Sequence, residues 1–227
     1  MSGAALAASG LLKSYGDLPA AGPLDLMVGA GERVVVVGHN GSGKTTLLRL
    51  VAGLLEPTAG TVTVGGHAVG SLPSRAATSF LGDTPVFYDD LSLWEHVEYL
   101  ARLHGTTGWE QHGADLLDVL GLTARADDLP VTFSRGLRQK AAIALAFVRP
   151  FELLLVDEPF VGLDRAGRQA LLDLFARAHG DGVTLLVATH ELSTVAESDR
   201  LVALRDGQVV YDGLPAGADV DDLVTHG

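Results

Sequence analysis

Eight consecutive residues, Gly38-His39-Asn40-Gly41-Ser42-Gly43-Lys44-Thr45, have the types and spacing needed to hold a run of phosphates. Gly38, Gly41 and Gly43 let successive amide N–H groups turn inward with no Cβ in the way. The Lys44 ammonium can reach β- and γ-phosphate oxygens, the Thr45 hydroxyl can ligate Mg2+, and Thr46 beside it is a further candidate for binding the nucleotide. The loop follows the apolar run Val34–Val37 and precedes a helical pattern over Thr45–Ala52, so a helix N-terminus adds its partial positive charge. A chance glycine-rich turn is the plainer alternative, and the strand before and helix after argue against it. The expected ligand is a nucleoside triphosphate with magnesium.

A second constellation is Leu153-Leu-Leu-Val-Asp-Glu-Pro159, an apolar strand running into two carboxylates. Ligands of open α/β sheets sit outside the C-terminal ends of the strands, which is where Asp157 and Glu158 would stand. Beside a phosphate loop, Asp157 would hold Mg2+ and Glu158 would orient the attacking water. Without that loop the pair would read as two solvated acids. The third element is Phe133-Ser-Arg-Gly-Leu-Arg-Gln-Lys140, which opens a helix carrying the apolar run Ala141–Val148. Ser134 is an N-cap residue type, and Gly136 leaves room for another surface to approach.

These residues need a scaffold, and short valine- and leucine-rich runs supply it. Arg33–Val37, Leu153–Val156, Thr184–Ala188 and Leu201–Leu204 are too uniformly apolar for a sheet with one wet face, and read as buried parallel strands. Helical patterns over Thr45–Ala52, Arg165–His179 and Leu192–Ser198 alternate with them, which argues for an α/β core. The first 70 or so residues hold short β-like pieces broken by glycine, as in Gly60-Thr-Val-Thr-Val-Gly-Gly66, and predict an antiparallel layer. The middle is helical, over Leu93–His104, Trp109–Leu120 and Gly136–Val148, with Ser92-Leu-Trp-Glu95 at capping-box spacing. The expected organisation is one domain over 1–227, with residues 1–82 and 150–227 forming the α/β core and β layer and about 83–149 an inserted helical lobe.

Composition narrows the classes further. The 227 residues carry 16 basic and 28 acidic side chains, net −12, which disfavours nucleic acid and anionic lipid as bulk partners. With no cysteine, thiolate metal sites, redox pairs and a cysteine nucleophile are excluded. The longest apolar run, Ala141–Val148, is far short of the roughly 18 residues that span a bilayer. The first lysine is Lys13, so the alanine-rich start lacks the basic region of a signal peptide. A cytoplasmic protein is expected.

With these motifs in order, the chain resembles the ATP-binding cassette family, specifically the ATPase subunit of ABC transporters, from about Leu6 to about Asp212. Ser134-Arg-Gly-Leu-Arg corresponds to the family signature, Asp157-Glu158 to the Walker B acids, Gly162-Leu-Asp164 to the D-loop and His190 to the switch histidine. Tyr15 stands where the family places an aromatic ring that stacks on adenine. The resemblance implies a composite site in which two cassettes face each other head to tail. Each ATP would lie between one phosphate loop and the partner's Ser134 and Gly136, with Asp164 reaching across and His190 aligning Glu158 and water. It implies a separate transmembrane permease as partner, and a cassette held peripherally at the inner face of the cell membrane. Plainer alternatives stand beside these roles. His190 and Tyr15 could be surface side chains, Asp164 could cap the next helix, and Phe87, Tyr88 and Trp94 could pack the lobe rather than line a docking groove.

The sequence also departs from the family. The glutamine usual at the entry to the helical lobe would fall at Asp83 or Thr84, and Asp83 could meet the metal as a carboxylate or be repelled by the phosphates and swing away. Arg135 replaces a signature glycine and Leu137 the usual glutamine, a pattern that looks like exporter cassettes of the ABC-2 class. The reading that follows is an ATPase subunit powering a permease, with export expected. Its rivals are a soluble ABC ATPase of translation or DNA maintenance, a small-metabolite kinase, and a degenerate regulatory cassette with low turnover.

Overall fold

Runs of valine and leucine with no polar interruption have nowhere to go but the middle of a sheet covered on both faces. In the computed structural model, which describes residues 3–16, 18–189 and 192–225, they do so. In chain order the elements are β1 (Ala4–Tyr15), β2 (Leu18–Gly29), β3 (Arg33–Val37), α1 (Lys44–Val51), β4 (Ala59–Val64), β5 (His67–Ala68), α2 (Leu72–Ala77) and β6 (Thr78–Leu81). There follow α3 (Leu93–Leu103), α4 (Trp109–Val119), α5 (Arg135–Phe147), β7 (Leu153–Asp157), α6 (Arg165–Gly180), β8 (Thr184–Ala188), α7 (Leu192–Ala196), β9 (Arg200–Arg205), β10 (Gln208–Gly213) and α8 (Val220–Thr225).

One sheet has the order β10-β9-β3-β8-β7-β6. Its centre is parallel, with β3 between β8 and β9 and β7 beside β8, and every residue of β3, β7 and β8 is buried. The edge strand β10 runs antiparallel to β9 and alternates between exposed and half-buried positions. The other sheet, β2-β1-β4-β5, is antiparallel throughout. In β2 the alternation is plain: Leu24, Leu26 and Val28 face in while Met27 is exposed. These residues join Leu6 and Val64, Val34 and Val36 of β3, and Leu47, Leu48 and Leu50 of α1 in one apolar core. The mixed α/β fold with its antiparallel layer is therefore present.

The chain divides into two compact units. The first, Met1–Phe80, Phe151–Glu158 and His179–Gly227, holds both sheets and α1. The second, Leu81–Pro150 with Pro159–Ala178, is helical. Here the division differs from the expected lobe of 83–149, because Pro159–Ala178 groups with the helices rather than the core. Contacts with α5 account for this. Gln139 Nε2 donates to the Pro159 carbonyl at 3.0 Å, Lys140 Nζ lies 2.9 Å from Asp164, and the Phe147 and Phe175 rings are 6.5 Å apart. Four elements had no expectation: α2 and β6, whose sequence between Leu72 and Leu81 lacks a clear period of either kind, and β10 and α8 beyond the last apolar run.

Within the helical unit, Trp94 packs on Trp109 with ring centroids 5.5 Å apart, so Trp94 serves the lobe's packing. The helix α3 starts with the expected capping box. The Glu95 N–H donates to Ser92 Oγ at 3.2 Å, and the Ser92 N–H donates to Glu95 Oε2 at 2.7 Å. Replacing Ser92 by Ala should therefore lower stability by about 1 kcal/mol in urea unfolding, and an unchanged midpoint would contradict the cap's contribution.

Candidate active site

The phosphate loop lies where β3 leaves the sheet. A Cβ added to Gly38 would run into the Leu204 carbonyl and Ser42 side chain, so only glycine fits the exit. Gly43, in the left-handed conformation at φ 102°, forms the N-cap of α1 and aims the helix's free N–H groups into the loop. Lys44 Nζ donates to the Gly38 carbonyl at 2.7 Å and to the His39 carbonyl at 3.2 Å, so the ammonium is held across the loop's own backbone. Burial pulls its pKa below the ordinary lysine range, while the negative charges of Glu158 and then Asp157 pull it back up. That opposition places the lysine and both acids within electrostatic reach of one another. Thr45 and Thr46 are half-buried in the first turn of α1.

The two acids stand in different surroundings. Asp157 ends β7 and is fully buried, while Glu158 is half-buried and has access to water. Glu158 has a left-handed backbone, φ 45°, and its N–H donates to the Ala188 carbonyl at 2.9 Å. A side chain other than glycine in that region costs roughly 1 to 2 kcal/mol, a cost tolerated where the surroundings fix the geometry, as at functional sites. One buried carboxylate and one wet one suit two roles, a metal contact and a water contact. Among the described residues no group of three or more His, Cys, Asp or Glu could hold a metal alone. A Mg2+ that keeps waters and draws on substrate phosphates needs only one or two carboxylates, so Thr45 and Asp157 fit as its protein donors.

Residues far along the chain brace the loop, and the sequence did not reveal them. The Asp206-Gly207 turn joins β9 to β10, and the Gly207 N–H donates to the Ser42 carbonyl at 3.0 Å. The Gly22 N–H in turn donates to the Gly207 carbonyl at 2.6 Å, so β2 backs the same turn. A Cβ on Gly43 would sit 2.8 Å from the Ala20 carbonyl and 3.2 Å from Gly207 Cα. His39 Nε2 lies 3.9 Å from Asp206 Oδ1, and its Nδ1 is 2.9 Å from the Asn40 carbonyl. An Asp-Gly pair between apolar runs signals a hairpin turn, yet nothing local in the sequence says what the turn touches.

The remaining expected residues are placed as follows. Tyr15, at the end of β1, is 58% exposed. In the second unit Ser134 caps α5, accepting from the Leu137 N–H at 3.4 Å. The room beside Gly136 is taken by the chain's own Gly162 carbonyl, 2.6 Å from where a Cβ would lie, so the glycine accommodates an internal neighbour. Asp164 caps α6 by accepting from the Gly167 N–H at 2.8 Å and pairs with Lys140, whose hydrogen bond is the main cause of its lowered pKa. Asp83 is exposed, on the stretch that leads from β6 to α3. His190 lies outside the described residues.

The model of the family described as "ABC transporter" matches residues 22–161. A protein of Halobacterium salinarum named as an ABC transporter ATP-binding protein is 38% identical over 217 residues, covering 93% of this chain and 94% of that one. The aliphatic sulfonates import ATP-binding protein SsuB of Pseudomonas putida is 37% identical, covering 92% and 76%. Among solved structures, an ATP-binding subunit of an ABC transporter superposes with TM-score 0.89 at 31% identity, covering 96% of this chain and 97% of the other. An ATP-binding cassette solved as a dimer in a post-hydrolysis state, bound to ADP and Pi, gives TM-score 0.83 at 25% identity, covering 92% and 98%.

The bracing of the loop has a measurable consequence in the nucleotide-free protein. Gly41 and Gly43 both have positive φ, but a Cβ on Gly41 meets nothing within 4 Å. Gly41→Ala should cost about 1 kcal/mol of unfolding free energy from backbone strain. Gly43→Ala should cost at least about 1 kcal/mol more, because its clash is with backbone. Equal losses would mean that β2 and the β9–β10 turn do not press on the loop.

Proposed function

The chain belongs to the ABC transporter family as an ATPase subunit, and from that premise we propose that Lys44, Asp157 and Glu158 carry out ATP hydrolysis to power a separate permease. The observation behind this reading is the meeting of a buried ammonium, a buried carboxylate and a wet carboxylate at the open end of a parallel sheet. The loop amides from Gly38 to Thr46 and the Lys44 ammonium hold the β- and γ-phosphates and favour the charge that spreads over the transferring group. Thr45 and Asp157 would hold Mg2+, which when bound would supply neutralisation of phosphate charge. Glu158 accepts a hydrogen bond from the water that attacks the γ-phosphorus, aligns its lone pair with the P–O bond to ADP that breaks, and takes up the water's proton. ADP and inorganic phosphate leave. His190 is assigned the alignment of this water.

One loop covers a triphosphate from one side only. We assign the other side to Ser134 and Gly136 of a second cassette, with Asp164 at the same boundary, an arrangement supported by the cassette solved as a dimer with ADP and Pi. ATP then holds the pair closed, and its cleavage removes that contact. The second unit exposes Tyr88 and Tyr99, whose ring centroids are 5.5 Å apart, and we assign this aromatic pair to the permease contact. No described helix is long and apolar enough to cross a membrane, and we assign the cassette to the inner face of the cell membrane through that permease. Direction is a property of the partner. The signature with Arg135 and Leu137 looks like exporter cassettes, whereas the SsuB relatives are named for import, and the assigned site chemistry is common to both. Net charge −12 weighs against a nucleic-acid partner.

A second reading, a regulatory cassette with low turnover, is favoured by Asp83 in place of glutamine and by the altered signature. One experiment addresses both. Glu158→Gln should lower ATP turnover by about a hundredfold or more and shift the protein to an ATP-bound dimer in gel filtration. Wild-type turnover in that variant would overturn the role given to Glu158. A wild-type protein that dimerises with ATP but does not cleave it, even with its permease, would establish the regulatory reading.

A further inference from the structure

Tyr15 and Lys13 are two residues apart on β1, and side chains at that spacing share a face of the strand. The Lys13 ammonium lies over the Tyr15 ring, 5.2 Å from its centroid. The same ammonium donates to the Glu56 carbonyl at 2.9 Å. That carbonyl is itself anchored, because the stretch between α1 and β4 is stitched to the end of β1. The Thr58 N–H donates to the Leu12 carbonyl at 2.7 Å, and the Ser14 N–H donates to Thr58 Oγ1 at 3.0 Å. The cation is thus fixed in place and covers one face of the ring. With 58% of the tyrosine exposed, the ring has a face left for a ligand.

The hairpin register relates this pair to the phosphate loop. Lys13 lies opposite Ala21 of β2, and Ala20 and Ala21 are the residues that a Cβ at Gly43 or Gly207 would meet. Tyr15 is two residues farther along the same strand, so it stands on the order of 10 Å from the loop. A nucleotide whose phosphates occupy the loop carries its base at about that reach.

We propose that Lys13 is a positioning and specificity-determining residue for the nucleobase, acting through Tyr15. It rests on the reading of Tyr15 as the ring that meets adenine. A cation on the rear face holds the ring in one orientation before the ligand arrives, which removes part of the ordering cost of stacking. It also draws π-electron density rearward, which makes the front face a better partner for an electron-rich purine. The phosphates do not feel either effect. Lys13 therefore contributes to affinity only when the ligand carries a base.

Calorimetric titration of the nucleotide-free protein with Mg-ATP and with Mg-tripolyphosphate separates the terms without recourse to turnover. Lys13→Met, which keeps the stem, should bind ATP about two- to fivefold more weakly and tripolyphosphate as the wild type does. Lys13→Arg should restore ATP binding, since it keeps the cation. Tyr15→Ala should show the larger base-dependent loss. An equal loss on both ligands in Lys13→Met, or no loss on ATP while Tyr15→Ala has one, overturns the inference and leaves the reading of Tyr15 standing. ATP affinity untouched in Tyr15→Ala overturns that reading, and the inference with it.

Discussion

The structure depends on keeping the buried ammonium of Lys44 charged and in place. Lys44 is buried, and burial alone favours its neutral form. Two backbone carbonyls of its own loop and the charges of Glu158 and Asp157 oppose that tendency. Each partner arrives on a different strand end. The carbonyls follow β3 and the acids close β7, and both strands are buried along their whole length. Shifting either strand by one residue would turn its side chains to the opposite face and separate the charges. The uniform valine and leucine content of the parallel sheet is thus a condition of the chemistry as well as of the fold.

Much of this was legible because it is local. Loop spacing identified Gly38–Thr45, unbroken apolar runs identified four strands, and Ser92 with Glu95 announced a helix start that the structure contains. What the sequence withheld depends on contacts between distant residues. Nothing near Asp206-Gly207 indicates that this turn braces Ser42 and Gly43. The left-handed backbone of Glu158 also had no local signal, because glutamate carries no preference for that conformation. Gly136 looked like space kept for another surface, and only the fold showed the Gly162 carbonyl filling it.

The grouping of Pro159–Ala178 with the helical unit has a functional side. Immediately after Glu158 the chain passes from the unit that holds the phosphate loop to the unit that holds Ser134. There Gln139, Lys140 and Gly136 of α5 fasten it through Pro159, Asp164 and Gly162. In the proposed dimer, a change at Glu158 on hydrolysis is one residue away from a segment tied to the signature helix. The covalent link itself is therefore a short route by which cleavage in one site can be felt at the surface offered to the other.

The central claim, that one cassette's loop works with its mate's signature helix, is tested most directly by mixing two variants. Lys44→Ala removes the phosphate contact and Ser134→Arg blocks the helix tip, so each alone should be inactive in ATP hydrolysis. Combined, they form pairs in which one site keeps an intact loop and an intact helix tip, and activity should reappear. A mixture as inactive as its components, or a Ser134→Arg protein as active as the wild type, would contradict the composite site.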